Sequence, residues 1–243
     1  MAPRMSKEAP ANAYSANWFE IFLPPSAAVA PEQEIEFLRR WLPLPAHRRV
    51  LDLCCGIGRH AHALSGSGFV VTGLDRNLQA LRSAAAKGRG VRYLLGDMRC
   101  IPLADGSFDA VVCLWQSFGY FDAATNRQVL RAIRNILAPH GRLILDVYRS
   151  RFFEAHQGCR RIPKDSHEIV ERRRMVGDRL QVELNYGEGA GFDRFDWQLF
   201  EPDDLCELAR LEHFLPMVVC TDFESSKTAS QDHARMQLVF EAM

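Results

Sequence analysis

The sequence predicts an α/β fold: a seven-stranded, mostly parallel sheet flanked by helices, with a small antiparallel β insert. Three observations predict it. From Arg49 onward, short β-branched runs alternate with helical stretches, the pattern of βαβ units feeding a parallel sheet. The runs are almost continuously apolar, as suits strands buried on both faces. One stretch, residues 150–201, breaks that rhythm with short alternating runs separated by glycine-bearing turns, which reads as an antiparallel meander.

Taken in order, residues 1–13 read as a flexible leader and 14–48 as an N-terminal helical lid segment, in which YSANWFEIF (Tyr14 to Phe22) packs Trp18, Phe19 and Phe22 onto the sheet. The main domain covers 49–243. Its strands are RVLDLCC from Arg49, then Phe69 to Asp75, Val91 to Asp97, Phe108 to Trp115 and Arg142 to Tyr148. Before the fifth strand, Thr125 with Gln128 forms a capping-box pattern, and Val129, Ile133, Ile136 and Leu137 recur at helical spacing until Pro139 stops the helix. Within the insert, Arg172, Arg173 and Arg174 read as a solvated edge whose like charges discourage edge pairing. A helix opens at Pro202 with Asp203 and Asp204 in its first turn, burying Leu205, Leu208 and either Ala209 or Leu211. Two strands close the chain, Pro216 to Glu224 and Ala234 to Ala242.

Bulk numbers narrow the function classes. At 243 residues the chain suits one α/β domain with a modest extra piece, and 47% hydrophobic with 25% charged residues is an ordinary globule. No apolar run reaches the ~18 residues of a membrane span. Thirty basic residues balance thirty acidic ones, so no overall positive field draws in a phosphate backbone. Nucleic acid and membrane are therefore not the expected partners. The leader MAPRMSKEAPANAY has no apolar stretch after its basic residues, so the expected compartment is the cytoplasm. Seven cysteines without a CxxC spacing read as reduced, mostly buried thiols, and no metal is expected.

The chemistry gathers at the strand ends. VLDLCCGIGRHAHAL is a tight glycine turn opening a helix, where free N–H groups and missing side chains let a ligand come close. Gly56, Gly58 and Ala61 also satisfy the dinucleotide pattern GxGxxA, so this loop alone leaves a nicotinamide enzyme open. Asp75 ends the second strand, 17 residues after Gly58, where a carboxylate can accept both hydroxyls of a ribose. Asp97 and Met98 end the third, placed to hold an adenine by carboxylate and thioether. The fourth strand then delivers Trp115, Gln116, Ser117, Phe118 and Tyr120 to the same edge, where ligands of doubly wound sheets sit.

Together these residues resemble the class I S-adenosylmethionine-dependent methyltransferases, over roughly residues 49 to 148. The resemblance implies a Rossmann-like methyltransferase fold and S-adenosyl-L-methionine as cofactor, leaving S-adenosyl-L-homocysteine as product. LDLCCGIG supplies Asp52, Gly56 and Gly58, with Cys54 standing where the family commonly has its first glycine. By resemblance, Gly56 and Gly58 approach the methionyl part, Asp75 holds the ribose, Asp97 and Met98 flank the adenine, and Cys54, Arg76 and Leu114 complete the cofactor set. RAIRNILAPHGRLILDV looks like the family's helix and fifth strand, and the last two strands like its closing hairpin.

Missing motifs narrow the acceptor. There is no NPPY or DPPY after the fourth strand and no PC dipeptide, which disfavours nucleic-acid bases. WQSFGYF instead resembles the loop of small-molecule methyltransferases, so methyl transfer to an N or O atom of a small acceptor is expected. No tyrosine has a lysine at the fourth following position, which weakens the NAD-dependent oxidoreductase alternative. A cofactor-binding protein without transferase activity is the other alternative. The expected acceptor walls are Trp18, Phe118, Tyr120, Arg149 and Phe153, and the candidates for a catalytic group are Tyr14, Tyr120 and His156. His60 and His62, two apart on a helix, point to different faces and cannot chelate one ion together. The insert offers a surface on which two copies could pair.

Overall fold

The computed structural model describes residues 12–22, 30–88, 90–164, 167–187 and 189–243. In chain order come helices α1 (Ala16–Phe22) and α2 (Glu32–Trp41), then β1 (Arg49–Leu53), α3 (Arg59–Gly66), β2 (Val70–Asp75), α4 (Leu78–Lys87), β3 (Val91–Leu95) and β4 (Phe108–Cys113). These are followed by α5 (Ala123–Ile136), β5 (Leu137–Tyr148), α6 (Ser150–Ala155) and the insert strands β6 (Gly158–Lys164), β7 (His167–Val176), β8 (Arg179–Asn185) and β9 (Phe192–Gln198). The chain ends with α7 (Pro202–Leu211), β10 (Phe214–Cys220) and β11 (Arg235–Ala242).

One seven-stranded sheet runs β10-β11-β5-β4-β1-β2-β3. The five strands from β5 to β3 pair in parallel, while β11 lies antiparallel between β5 and β10. This is the Rossmann-like methyltransferase fold that the sequence predicts. Strand order reverses at β1 and β4, so the crevice at the carboxyl ends of β1, β2 and β4 is where such a sheet binds ligands.

Two apolar layers bury the sheet. On one face, Val129 and Ile133 of α5 and Leu205 and Ala209 of α7 pack against Leu51, Val111 and Leu145. On the other, Ile35 and Leu38 of α2 and Ala61 and Leu64 of α3 cover Val50, Val71 and Val112. A third cluster joins α1 to the insert, whose strands form a separate four-stranded antiparallel sheet, β6-β7-β8-β9. Each residue of that sheet faces either inward or outward by the period of two, and the inner face carries Leu180, Val182, Leu184, Phe195 and Trp197.

The structure departs from the sequence reading at several points. The cap of α5 is Asp122, whose side chain accepts from the Thr125 N–H, rather than Thr125 itself. The helix ends at Ile136 and β5 starts at Leu137, ahead of Pro139, because Phe108 pairs with Leu137 before the register shifts. Leu211 is 55% exposed, and α7 buries Cys206 with Leu205 and Ala209. Residues 150–155 form a short helix instead of starting the meander. The arginine run lies on β7, an interior strand paired on both sides, so it does not form an edge. Of the expected leader, residues 1–11 lie outside the described residues, but Asn12 is buried and bonded to β9. Among the described residues no helix is long and apolar enough to cross a membrane.

Candidate active site

β1 ends at Leu53, and the backbone then makes three left-handed steps, at Cys54 (φ 61°), Gly56 (φ 53°) and Gly58 (φ 73°), before α3 begins. A side chain at Gly58 would put its Cβ 2.4 Å from the Tyr93 hydroxyl, so glycine is required there by close packing as well as by backbone angle. Gly56 is different, because a Cβ there would meet nothing within 4 Å. Its empty side faces a cavity of about 770 Å³, within the usual range for small-molecule sites.

The Gly56 N–H donates to Asp75 Oδ2 at 2.8 Å, and the Asn77 N–H to Oδ1 at 2.8 Å. The carboxylate at the tip of β2 is thereby fixed beside the glycine bend, while burial pushes its pKa up. Asp52 is 2% exposed at the floor of the same bend, and its Oδ2 has no partner. Burial lifts its pKa to about 6, against a lowering pull from His60. Asp97 lies just past β3, held by Arg99, whose Nη2 approaches Oδ2 to 2.6 Å and keeps the carboxyl below its ordinary range. Met98 is buried beside it, with its sulfur 3.7 Å from Cys54 Sγ.

Of the sequence-predicted cofactor set, Asp52, Cys54, Gly56, Asp75, Arg76, Asp97, Met98 and Leu114 all line this one cavity. Gly58 stands behind it as the cap of α3. Of the acceptor and catalytic candidates, Tyr14, Trp18, Tyr120 and Phe153 line the cavity. Phe118, Arg149 and His156 do not. Phe118 turns into the core and stacks on Phe200 at 5.7 Å between centroids. Arg149 is buried against Glu201 with Nη2 2.5 Å from its carboxylate, and His156 stacks on Phe152 at 4.1 Å. The other histidine candidates are also committed: His60 Nε2 lies 2.6 Å from Glu34, and His62 Nε2 3.0 Å from the Ala84 carbonyl.

The hydroxyls of Tyr14 and Tyr120 meet at 2.7 Å, tying the N-terminal segment to the loop after β4. Burial holds both phenols well above their ordinary pKa. Asn12 secures the same segment from outside, donating through Nδ2 to the Asp196 carbonyl at 2.9 Å and accepting on its own carbonyl from Arg76 at 2.6 Å.

The sequence placed Trp115 at this edge but missed its charged partners, and it missed a second charged group on the insert. Trp115 adopts a left-handed backbone, the guanidinium groups of Arg59 and Arg235 lie 4.3 and 4.7 Å from its ring centre, and its Nε1 donates to Glu34 at 3.2 Å. Glu34 lies on α2 and Arg235 on β11, too distant in sequence for any local pattern to join them. Arg160, Glu171 and Arg173 line the cavity from the inner face of the insert. Alternation along HEIVERRRM turns Arg173 inward and its two arginine neighbours outward, a signal that was present once the strand was recognised as interior.

A doubly wound sheet with carboxylates at adjacent strand tips, a glycine bend and an aromatic roof defines a nucleotide-type ligand site of the methyltransferase fold. Residues 50–141 match the family model described as "Methyltransferase domain". A Bacillus subtilis (strain 168) protein that bears the name "Putative methyltransferase YqeM" is 35% identical over 117 residues, which cover 46% of this chain and 47% of that one. Thus the chain spans about half the length of the curated relatives it matches. Among solved structures, an S-adenosylmethionine-dependent methyltransferase from Clostridium acetobutylicum superposes with TM-score 0.76 at 16% identity, covering 93% of this chain and 96% of the other. CalS10, an amino pentose methyltransferase from Micromonospora echinaspora solved with bound S-adenosylmethionine, superposes with TM-score 0.65 at 21% identity over 97% and 100% of the two chains. Residues 50–141 thus match a methyltransferase domain, and the chain as a whole shares the fold of S-adenosylmethionine-dependent methyltransferases.

Proposed function

We propose that this protein moves a methyl group from S-adenosylmethionine to an amine nitrogen of a small molecule. The observation that carries the reading is the single cavity in which Asp75 and Asp97 flank the open side of Gly56 and which continues under the aromatic roof of α1 and the insert. The residues present fit the cofactor. The bend has room where a side chain would be, and the unpartnered Asp52 Oδ2 is a ready acceptor for an ammonium group. Asp52 and Gly56 would hold its methionyl part, Asp75 its ribose, and Met98 with Asp97 its adenine. When bound, it supplies a sulfonium methyl that passes in line to a nucleophile.

The chain's own residues must then align the acceptor and exclude water. The Tyr14–Tyr120 pair closes the roof across the transfer region. Because burial keeps both phenols protonated, they orient an acceptor by hydrogen bonds and do not take its proton. Around them, burial also raises Tyr148, and the Cys113 contact with burial raises Cys54, while Asp75 is committed to two backbone N–H groups. A hydroxyl acceptor would need a general base here, whereas a neutral amine already presents its lone pair and can donate an N–H to a phenol oxygen. CalS10, named for an amino pentose, is consistent with that choice.

The test is transfer of labelled methyl to matched pairs of acceptors that differ only in amine or hydroxyl. Amines are expected to be methylated, with a rate that rises through the amine's own pKa, and Tyr120→Phe is expected to slow them ~10–100-fold. Methylation confined to hydroxyls would overturn the amine reading. Cofactor binding without transfer to any acceptor would favour the non-catalytic alternative.

A further inference from the structure

The insert's inner face is mostly apolar, but it carries the buried Asp193, bonded to Ser15 and Tyr186, and one charged stripe on β6 and β7. Arg160 and Glu171 stand directly opposite each other across β6 and β7, and Arg173 follows two residues along on the same face. The Glu171 carboxylate receives Arg160 Nε, lies 3.0 Å from Arg173 Nε and accepts from Arg173 Nη2 at 3.2 Å. The Arg173 guanidinium packs 5.3 Å from the Phe153 ring centre, and its side chain is only 17% exposed. Two guanidinium groups therefore share one carboxylate on the insert side of the chamber, beside the aromatic and aliphatic residues Phe153, Val182 and Trp197. At the opposite wall the carboxylates of Asp52, Asp75 and Asp97 outnumber the guanidinium groups of Arg59 and Arg76.

A half-buried positive excess beside apolar side chains is costly unless an anion completes it. The cost makes sense if the missing anion arrives with the ligand. We propose that the methyl acceptor carries a carboxylate or phosphate group that docks on Arg173 and Arg160, with an apolar or aromatic body lying along Phe153, Val182 and Trp197. The proposal rests on the reading of the cavity as the methyl-transfer site. Glu171 acts as a positioning residue: it holds the Nε and Nη2 side of the Arg173 guanidinium and leaves the Nη1 side for an oxyanion.

The test uses the full chain loaded with S-adenosylhomocysteine and three small probes: phenylacetate, phenyl phosphate and neutral phenylacetamide, measured by calorimetry. At least one anion is expected to bind at least about tenfold more tightly than the amide, as loss of a charge-assisted pair implies. The stronger of the two anions identifies the group. Arg173→Gln should abolish the discrimination while S-adenosylhomocysteine affinity stays the same. Arg160→Gln, at a side chain 55% exposed and so tolerant of change, should reduce the discrimination partly and keeps the test valid if the first variant folds poorly. Equal binding of anions and amide overturns the proposal, as does discrimination that survives both variants or failure of every probe to bind the loaded protein at millimolar concentration. Failure of S-adenosylhomocysteine itself to bind would instead sink the site reading, and this proposal with it.

Discussion

At the scale of single residues, Asp52 has the clearest pH signature. Its carboxyl is lifted by burial from 3.8 to about 6, so the folded chain holds the proton more tightly than the unfolded one. The stability this confers is complete below the unfolded value and is lost as pH rises through about 6, roughly 3 kcal/mol in all. Asp52→Asn should therefore gain stability relative to the parent between pH 5 and 7.5, read from urea midpoints at the two pH values; an unchanged difference would refute the assignment. A cationic ligand group against Asp52 favours the ionised form, so S-adenosylhomocysteine affinity should climb through the same window in the parent and lose that slope in the variant. Asp75→Ala removes a carboxylate already aimed by two N–H groups and should weaken S-adenosylhomocysteine by ~10–100-fold, the worth of one or two bonds to a charged group. Both carboxylates were legible in the sequence because strand ends fix the position of tip residues. Phe118 was not, because a left-handed turn at Trp115 and Gln116 rotates the residues after it in a way that no periodicity records, and Arg149 was not, because its partner Glu201 lies far along the chain.

At the scale of elements, the helices and parallel strands were readable from apolar runs and caps, while ends moved by a few residues. The strands β1, β3 and β4 stop earlier than their hydrophobic runs, leaving Cys54, Asp97 and Trp115 in the loops past the strand tips. The roof was the less legible part, since its form depends on pairing between α1, β9 and β2 that lie far apart in sequence. Asn12 is the joint: it donates to and accepts from Asp196 and is held by Arg76, the residue after Asp75. Asn12→Ala removes both side-chain bonds and leaves a β-carbon at φ 62°, a conformation asparagine tolerates better. The expected outcome is faster amide exchange over residues 12–22 with little change in global melting; protection as strong as in the parent would show that the latch contributes nothing. Gly58→Ala, in contrast, strains the start of α3 and presses Tyr93, and should cost the whole fold about 1–3 kcal/mol in a melting experiment.

At the scale of the whole molecule, one cavity is walled by elements from every part of the chain: the tips of β1, β2 and β4, the N-terminal helix, and the insert between β5 and α7. A ligand in it therefore reaches members of all three apolar clusters, among them Met98, Leu114 and Phe153. Binding to the folded state alone stabilises it by RT ln(1 + [L]/Kd), about 2.7 kcal/mol at a hundredfold excess over Kd. For a chain of this size each kcal/mol raises Tm by ~2–4 °C, so S-adenosylhomocysteine near saturation should raise Tm by ~5–10 °C. NAD+ at the same concentration should leave it unchanged, because on the proposed reading Asp97 and Met98 hold the single adenine, and the Tyr14–Tyr120 contact narrows the passage through which a second nucleotide would have to extend. A Tm shift with NAD+ and none with S-adenosylhomocysteine would reverse the choice that the glycine bend alone left open. Because the shift is read on the intact chain without turnover, it separates ligand identity from catalysis, and the loss of the shift in Asp75→Ala would tie it to this cavity.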